Sequence, residues 1–401
     1  MKYADRMQRL GTETAFRVLA QIQSFPKERQ ERIISFAIGE PDFDTPSHIK
    51  QAGIKSIEEN NTHYVASAGI MELREAVAKF ASEKRGFQIT PDMVTILPSA
   101  KQIISLTMLS CMDAGDEVIY PNPGYPIYES QINVYGGKAV PALLLPENNF
   151  NYDIEHLRSL VIPGKTKMIV LNSPQNPTGG VLSKENLESI AQIALENDLW
   201  ILSDEIYNNF MYDHTDFHSI AEIPGMQERT IILDGWSKFF AMTGWRLGFS
   251  ITNPELAKHF ANWATNTISC TAPFVQHAGL EAITADLSPS WAMVQEFDRR
   301  RQLICQLLND IEGLSVSPPK GAFYLFCNVT KACQNLGLKD ALAFQEFLLE
   351  KADVVVLARQ FFGKRDPDEK EEFVRFSYCV STDDIQNGCQ RIKEAVEGRR
   401  A

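Results

Sequence analysis

Short, near-continuously apolar runs rich in β-branched residues alternate with amphipathic stretches through the middle of this chain. The runs lie at 93–97, 117–120, 167–172, 200–203, 230–234 and 247–251. Strands of this kind are buried on both faces, and the amphipathic segments between them suit helices that cover those faces. The pattern predicts an α/β fold built on a layered sheet. Each run also ends in a cluster of polar residues, and open α/β sheets bind their ligands beyond the carboxyl ends of their strands.

From about 276 to 312 the pattern turns helical, with Leu280, Ile283, Phe297, Leu303, Leu307 and Leu308 spaced among charges. Strand-like runs follow at 322–326, 354–357 and 373–378, with helices near 339–352 and 382–398. This tail reads as a smaller α+β domain joined to the sheet by a long helix. The first 44 residues, helical in period and then extended at 33–38, have no obvious place in the central sheet and are assigned to the small domain. The expected division is 1–44, 45–285 for the large domain, and 286–401. A chain of 401 residues exceeds what one hydrophobic core usually supports. The charged stretch 364–372 reads as an exposed loop.

Thirty-nine Lys+Arg against 51 Asp+Glu give a net charge of −12, which disfavours nucleic acid and anionic membranes as partners. Seven scattered cysteines without a CxxC pair suit reduced thiols, and no metal-ligand spacing appears. No long apolar run and no apolar core near the first residues are present, so neither a membrane span nor a secretory signal is expected. The cytoplasm is the expected location.

Lys238 stands eight residues before Arg246 in Asp-Gly-Trp-Ser-Lys-Phe-Phe-Ala-Met-Thr-Gly-Trp-Arg, at 234–246. An amine can form a Schiff base and a guanidinium can grip phosphate bidentately, which suits a cofactor bearing an aldehyde and a phosphate. Pyridoxal phosphate is that cofactor. Asp204, at the end of a buried run, can pair with the pyridine nitrogen and keep it protonated. Tyr207 and Asn176 can each bond the phenolic oxygen of the ring, and the Asn176–Pro177 peptide is expected to be cis. Ser99, Ala100 and Lys101 lie where a strand hands over to a helix, whose first N–H groups favour a phosphate. Tyr125, on a Pro/Gly loop, can stack on the ring. Arg375 projects from a late strand, and a forked donor on a rigid element suits a substrate carboxylate. Each residue also has a plainer reading as a cap, a loop residue or a packing group.

Together these segments resemble the fold-type-I, pyridoxal-phosphate-dependent class I/II aminotransferases, in the branch of bacterial and archaeal aspartate and aromatic aminotransferases. The resemblance runs nearly end to end. It passes through Gly-Glu-Pro-Asp-Phe-Asp-Thr-Pro at 39–46, Gly-Asp-Glu-Val at 115–118, Asn-Pro-Thr-Gly at 176–179 and Asp-Glu-Ile-Tyr at 204–207. It continues through Ser237-Lys238, Met-Thr-Gly-Trp-Arg at 242–246, Gly-Ala-Phe-Tyr at 321–324 and Arg375. The resemblance implies a large, mostly parallel seven-stranded sheet domain with a smaller α+β domain built from both termini. It implies that Lys238 carries the cofactor and shuttles the substrate proton, Asp204 pairs with the ring nitrogen, and Asn176 and Tyr207 hold the phenolic oxygen. Tyr125 is implied to stack on the ring, with Ser99, Ala100, Lys101, Ser237 and Arg246 around the phosphate. Arg375, helped by the Gly39 backbone and Asn176, is implied to hold the α-carboxylate. Tyr64 is implied to reach the phosphate in a neighbouring subunit, which makes a homodimer with shared sites the expected assembly.

Two positions depart from the pattern. Gly235 stands where several relatives place a phosphate-binding Ser, so that contact is expected from Ser237. Arg359 stands where relatives carry a flexible glycine, and is expected either to contact the distal group of the substrate or to form a salt bridge with solvent-side carboxylates. The reading is an aminotransferase working by a ping-pong cycle between an L-amino acid and a 2-oxo acid. Lys101 stands where some aspartate-using relatives hold the distal carboxylate, which favours dicarboxylic substrates, and the aromatic content around the loops leaves aromatic ones open. The alternatives are a lyase or cyclase on the same scaffold, and a cofactor-sensing regulator. The regulator would need a DNA-binding module, for which the residues before the large domain are too few.

Overall fold

The computed structural model describes residues 1–11, 18, 20, 22–367 and 369–398. Part of the helical periodicity read before residue 33 therefore lies outside the described residues. In chain order the strands are β1 (Ile34–Ser35), β2 (Val94–Leu97), β3 (Glu117–Asn122), β4 (Lys138–Leu143), β5 (Thr166–Asn172) and β6 (Trp200–Asp204). They continue with β7 (Thr230–Gly235), β8 (Gly248–Ile251), β9 (Tyr324–Asn328), β10 (Val354–Val355), β11 (Leu357–Ala358) and β12 (Phe373–Ser377).

Seven strands form one sheet in the order β2-β8-β7-β6-β5-β3-β4. Only β8 runs against its neighbours; the other pairings are parallel. Alternation along the strands sends side chains to opposite faces. Met168, Val170, Leu202 and Ile231 join a core with Ile103, Ile104 and Phe260, from the helices Ala100–Cys111 and Pro254–Thr267. Ile169, Leu171 and Ile201 join another with Leu187, Ile190 and Ile193 of helix Lys184–Glu196. Each such side chain contributes about 1.5–3 kcal/mol by leaving water. These inner strands are thus buried on both faces, which is why they read as unbroken apolar runs.

The remaining strands form a three-stranded antiparallel sheet, β11-β12-β9, and a parallel pair, β1 with β10. Ile34 aligns with Val354 and Ser35 with Val355, so chain from near the beginning pairs with chain from near the end. Two expectations need correction. The helical tract near 276–312 is not one long helix but two, Pro273–Thr284 and Ser288–Asn309. Asp286 Oδ1 accepts from both the N–H and the hydroxyl of Ser288, which starts the second helix afresh. The run at 354–357 is likewise divided between β10 and β11. No helix among the described residues is long and apolar enough to cross a membrane.

Candidate active site

The carboxyl ends of the central strands meet at a cavity of about 500 Å³. Asn172 and Asp204 are in register at the ends of β5 and β6. The Asn172 side chain donates to the Asp204 carbonyl at 3.1 Å and accepts from the Asn176 N–H at 2.9 Å, which locks the turn carrying Asn176 to the sheet. The Asn176–Pro177 peptide is cis, as expected. Lys238 follows β7, and its Nζ donates to the Gly39 carbonyl at 2.6 Å. Tyr125, Asn176, Asp204, Tyr207, Lys238 and Arg375 all line this one cavity.

Asp204 is buried there, and its hydrogen-bond partners are neutral: the Tyr128 hydroxyl at 2.5 Å and the Ile206 N–H at 3.3 Å. Burial pushes its carboxyl up to about 6; those two bonds oppose the rise, while Asp234 and Glu205 add to it. Behind Asp204 lies a buried ionic cluster. Arg85 donates to Glu205 and to Asp234, each at 2.7 Å, and Asn208 also donates to Asp234 at 2.6 Å. Burial alone would lower the Arg85 pKa, but the two carboxylates hold it above its ordinary value. Glu205 follows Asp204 directly, and Asp234 lies four residues before Lys238. One guanidinium therefore ties together the strand ends that carry both.

At the other end of the cavity, helix Ala100–Cys111 begins with Ser99, whose hydroxyl accepts from the Lys101 N–H at 3.1 Å and from Arg246 Nη2. The helix sits close against the sheet because β7 and β8 lack side chains there. A Cβ on Gly248 would lie 2.2 Å from the Ala100 nitrogen, and one on Gly235 would lie 2.9 Å from the Gly248 Cα. Gly235 thus has a packing reason to be glycine. Ala100, Lys101, Ser237 and Arg246 line this end, where N–H groups, the helix dipole and a guanidinium converge.

On the opposite wall, Arg375 Nη1 donates to Asn176 Oδ1 at 2.8 Å and Nη2 donates to the Ala37 carbonyl. Its guanidinium carbon lies 4.5 Å from the Tyr324 ring centre. The Tyr324 and Tyr207 hydroxyls are 2.8 Å apart. Burial, then the Tyr324 hydroxyl, holds the Tyr207 phenol well above its ordinary pKa.

The family model for aminotransferase class I and II matches residues 31–392. An aromatic-amino-acid aminotransferase of Thermococcus litoralis is 37% identical over 375 residues, covering 92% of this chain and 93% of that protein. An aspartate aminotransferase of Pyrococcus abyssi is 35% identical over 405 residues, covering 100% of both chains. Among solved structures, the aspartate aminotransferase of Rhizobium meliloti superposes with a TM-score of 0.92 at 31% identity, over 99% of each chain. The chain belongs to the class I and II aminotransferases. It is a transaminase, and the elimination and cyclisation alternatives are not favoured. Dependence on pyridoxal phosphate follows from the family, and the residues lining the cavity fit that group: a helix start and a guanidinium at Ser99 and Arg246, a buried carboxylate whose hydrogen-bond partners are neutral, and the Lys238 amine.

One residue expected at the site of this aminotransferase does not line the cavity. Arg359 does not line the cavity; it is fully buried and its fork is taken up by Glu369, Gly363 and Asn122. The guanidinium is turned into a loop junction and away from the cavity. The stretch 364–372 is correspondingly more than an exposed loop, because Glu369 and Glu372 are both engaged by arginines. Tyr64, expected to act in a neighbouring subunit, is 86% exposed on this chain and does not line its own cavity. Residues missed from sequence include Tyr128, Asn172 and Tyr324, which line the cavity. Tyr128 lies in the first turn of the helix Ile127–Val134 that follows the Tyr125 loop.

Proposed function

We propose that the cavity holds pyridoxal phosphate and transfers amino groups between an L-amino acid, with acidic ones favoured, and a 2-oxo acid. Bound there, the cofactor supplies an electron-withdrawing ring that accepts the electron pair left when a substrate Cα–H proton departs. Asp204 would hold the ring nitrogen protonated, since a cation beside it offsets the cost of burying its charge. Asn176 and Tyr207 would hold the phenolic oxygen, and Tyr125 would cover one face. Ser99, Ala100, Ser237 and Arg246, with the backbone of Lys101 at the helix start, would surround the phosphate, and the Lys101 side chain is left for the substrate. Lys238 would take the Cα proton on Nζ and return it to the cofactor's exocyclic carbon. Arg375 and Asn176, with the Gly39 backbone, would fix the α-carboxylate and so orient that proton toward Lys238.

The observation that carries this reading is the convergence of Lys238, Asp204, Asn176, Arg246 and Arg375 on one cavity. The acidic preference rests on Lys101, whose Nζ lies 5.6 Å from the Tyr125 ring centre at the cavity wall. Relatives carry both aspartate and aromatic names. The homodimer, with Tyr64 serving a partner, and the division at 44/45 and 285/286 belong to the same proposal. Reconstituted enzyme is to be titrated with aspartate and with phenylalanine while the cofactor absorbance is followed. Lys101→Ala should weaken the aspartate response about tenfold or more and leave phenylalanine nearly unchanged. Equal loss for both substrates would remove the acidic preference, and full turnover by Lys238→Ala would sink the whole reading.

A further inference from the structure

The loop holding Arg359 grows directly out of β11, where Leu357 lies opposite Arg375 of β12. Arg359 Nε and Nη2 donate to the two oxygens of Glu369 at 2.8 and 2.6 Å, Nη1 donates to the Gly363 carbonyl at 3.1 Å, and Nη2 also donates to Asn122 Oδ1 at 2.9 Å. Asn122 ends β3 and begins the loop that carries Tyr125. Its own Nδ2 donates to the Lys364 carbonyl at 2.8 Å. The Gly124 N–H donates to the Phe362 carbonyl at 2.9 Å, which closes the junction from the backbone side. A Cβ on Gly363, at φ +115°, would lie 2.4 Å from Asn122 Oδ1, so only a glycine lets the two loops come this close. Phe362, the residue before it, is buried, and its ring centre lies 4.9 Å from the Arg375 guanidinium carbon.

We propose that Arg359 is a positioning residue for substrate carboxylates: by clamping the 359–369 loop to the loop that begins at Asn122, it holds Phe362 against Arg375 and so fixes the fork that receives the α-carboxylate. This rests on the assignment of Arg375 made under Proposed function. The clamp acts on the carboxylate that every amino-acid and 2-oxo-acid substrate shares, so it governs binding of all of them and does not select by side chain. Arg375 keeps its bonds to Asn176 and Ala37 on one side, and the ring of Phe362 limits its movement on another.

The test uses full-length, cofactor-loaded enzyme carrying Arg359→Ala, Arg359→Lys or Glu369→Ala. Binding of succinate and of 3-phenylpropionate is measured by calorimetry beside steady-state kinetics. The clamp predicts that KM and both dissociation constants rise together by about tenfold, with kcat within about twofold. Arg359→Lys should behave like Arg359→Ala, because an ammonium keeps the charge but cannot span Glu369, Gly363 and Asn122. Weakening of succinate alone would mean that Arg359 meets the distal carboxylate, which overturns the clamp. Unchanged binding and kinetics with a lowered unfolding temperature would reduce the junction to a structural one and also overturn it. Glu369→Ala removes the partner from the far side of the loop, and serves if the arginine variants do not fold. If the unmodified enzyme bound neither carboxylate, the assignment of Arg375 would fall first and the clamp's role with it.

Discussion

Arg85 and Arg359 are both buried guanidiniums beside the same cavity, yet they are held in different ways. Arg85 ends the helix Met71–Arg85 and pairs with two carboxylates, Glu205 just beyond β6 and Asp234 within β7. Its partners are fixed by the register of a seven-stranded sheet. Arg359 sits between loops and has one carboxylate partner, Glu369, which itself lies on a loop. The cavity's floor is therefore positioned by strand pairing, with its two buried carboxylates neutralised by Arg85, whereas its rim is positioned by the side-chain bonds themselves. Removing a guanidinium should cost stability at the floor and alignment at the rim.

The largest effect expected from this contrast is on Arg85→Met. It leaves Glu205 and Asp234 buried without a counter-charge, and breaking a buried ionic cluster this way costs about 3–5 kcal/mol. Arg359→Met should cost only about 1–2 kcal/mol, because the loop can turn Glu369 toward water. Denaturant unfolding of the cofactor-free proteins measures both. Equal losses would erase the distinction between floor and rim.

The same contrast explains what could be read from the sequence. Six strands of the central sheet were legible because burial on both faces leaves almost no polar residue inside them, and their functional residues sit where the apolar run stops. β4 was not, since it is an edge strand with partly exposed residues and a Pro at 141, and its composition looks like a connection. The break between the helices at 285–287 had a readable signal in Asp286, Ser288 and Pro289, but the apolar spacing on either side masked it. Arg359 was conspicuous as a residue and its direction was not. The carboxylate that captures it is ten residues away on a loop with no period, and its amide partner is 237 residues away. The bond from Tyr128 to Asp204 spans 76 residues and had no local trace either.

A second, smaller effect concerns the charge on the floor. The Asp204 carboxyl is raised to about 6 in the folded, cofactor-free protein, chiefly by burial. A carboxyl raised on folding favours the folded state fully at pH below its unfolded value, and that contribution is lost as pH rises through about 6. Asp204→Asn removes the titration. Relative to the unsubstituted protein, the variant should therefore gain stability between about pH 4 and pH 7, by at most about 3 kcal/mol. Cofactor binding should reverse the order, because the Asn no longer holds a protonated ring nitrogen. Unfolding free energies of both cofactor-free proteins across this pH range decide the point; parallel curves would show that burial is not what perturbs Asp204.

The smallest effect, and the one that most sharpens the picture of the floor, is expected from Tyr128→Phe. The hydroxyl donates to Asp204 Oδ2 and favours the ionised carboxylate, opposing the rise that burial causes. Without it Asp204 should titrate higher still, so the folded state binds its proton more tightly. The variant should lose about 1–2 kcal/mol at pH 8, where Asp204 is ionised and the bond is charge-assisted, and less at pH 4, where it is protonated. A cost independent of pH would mean that Tyr128 contributes through packing in the core beside Ile132 and Tyr120, and that the floor depends on the sheet alone.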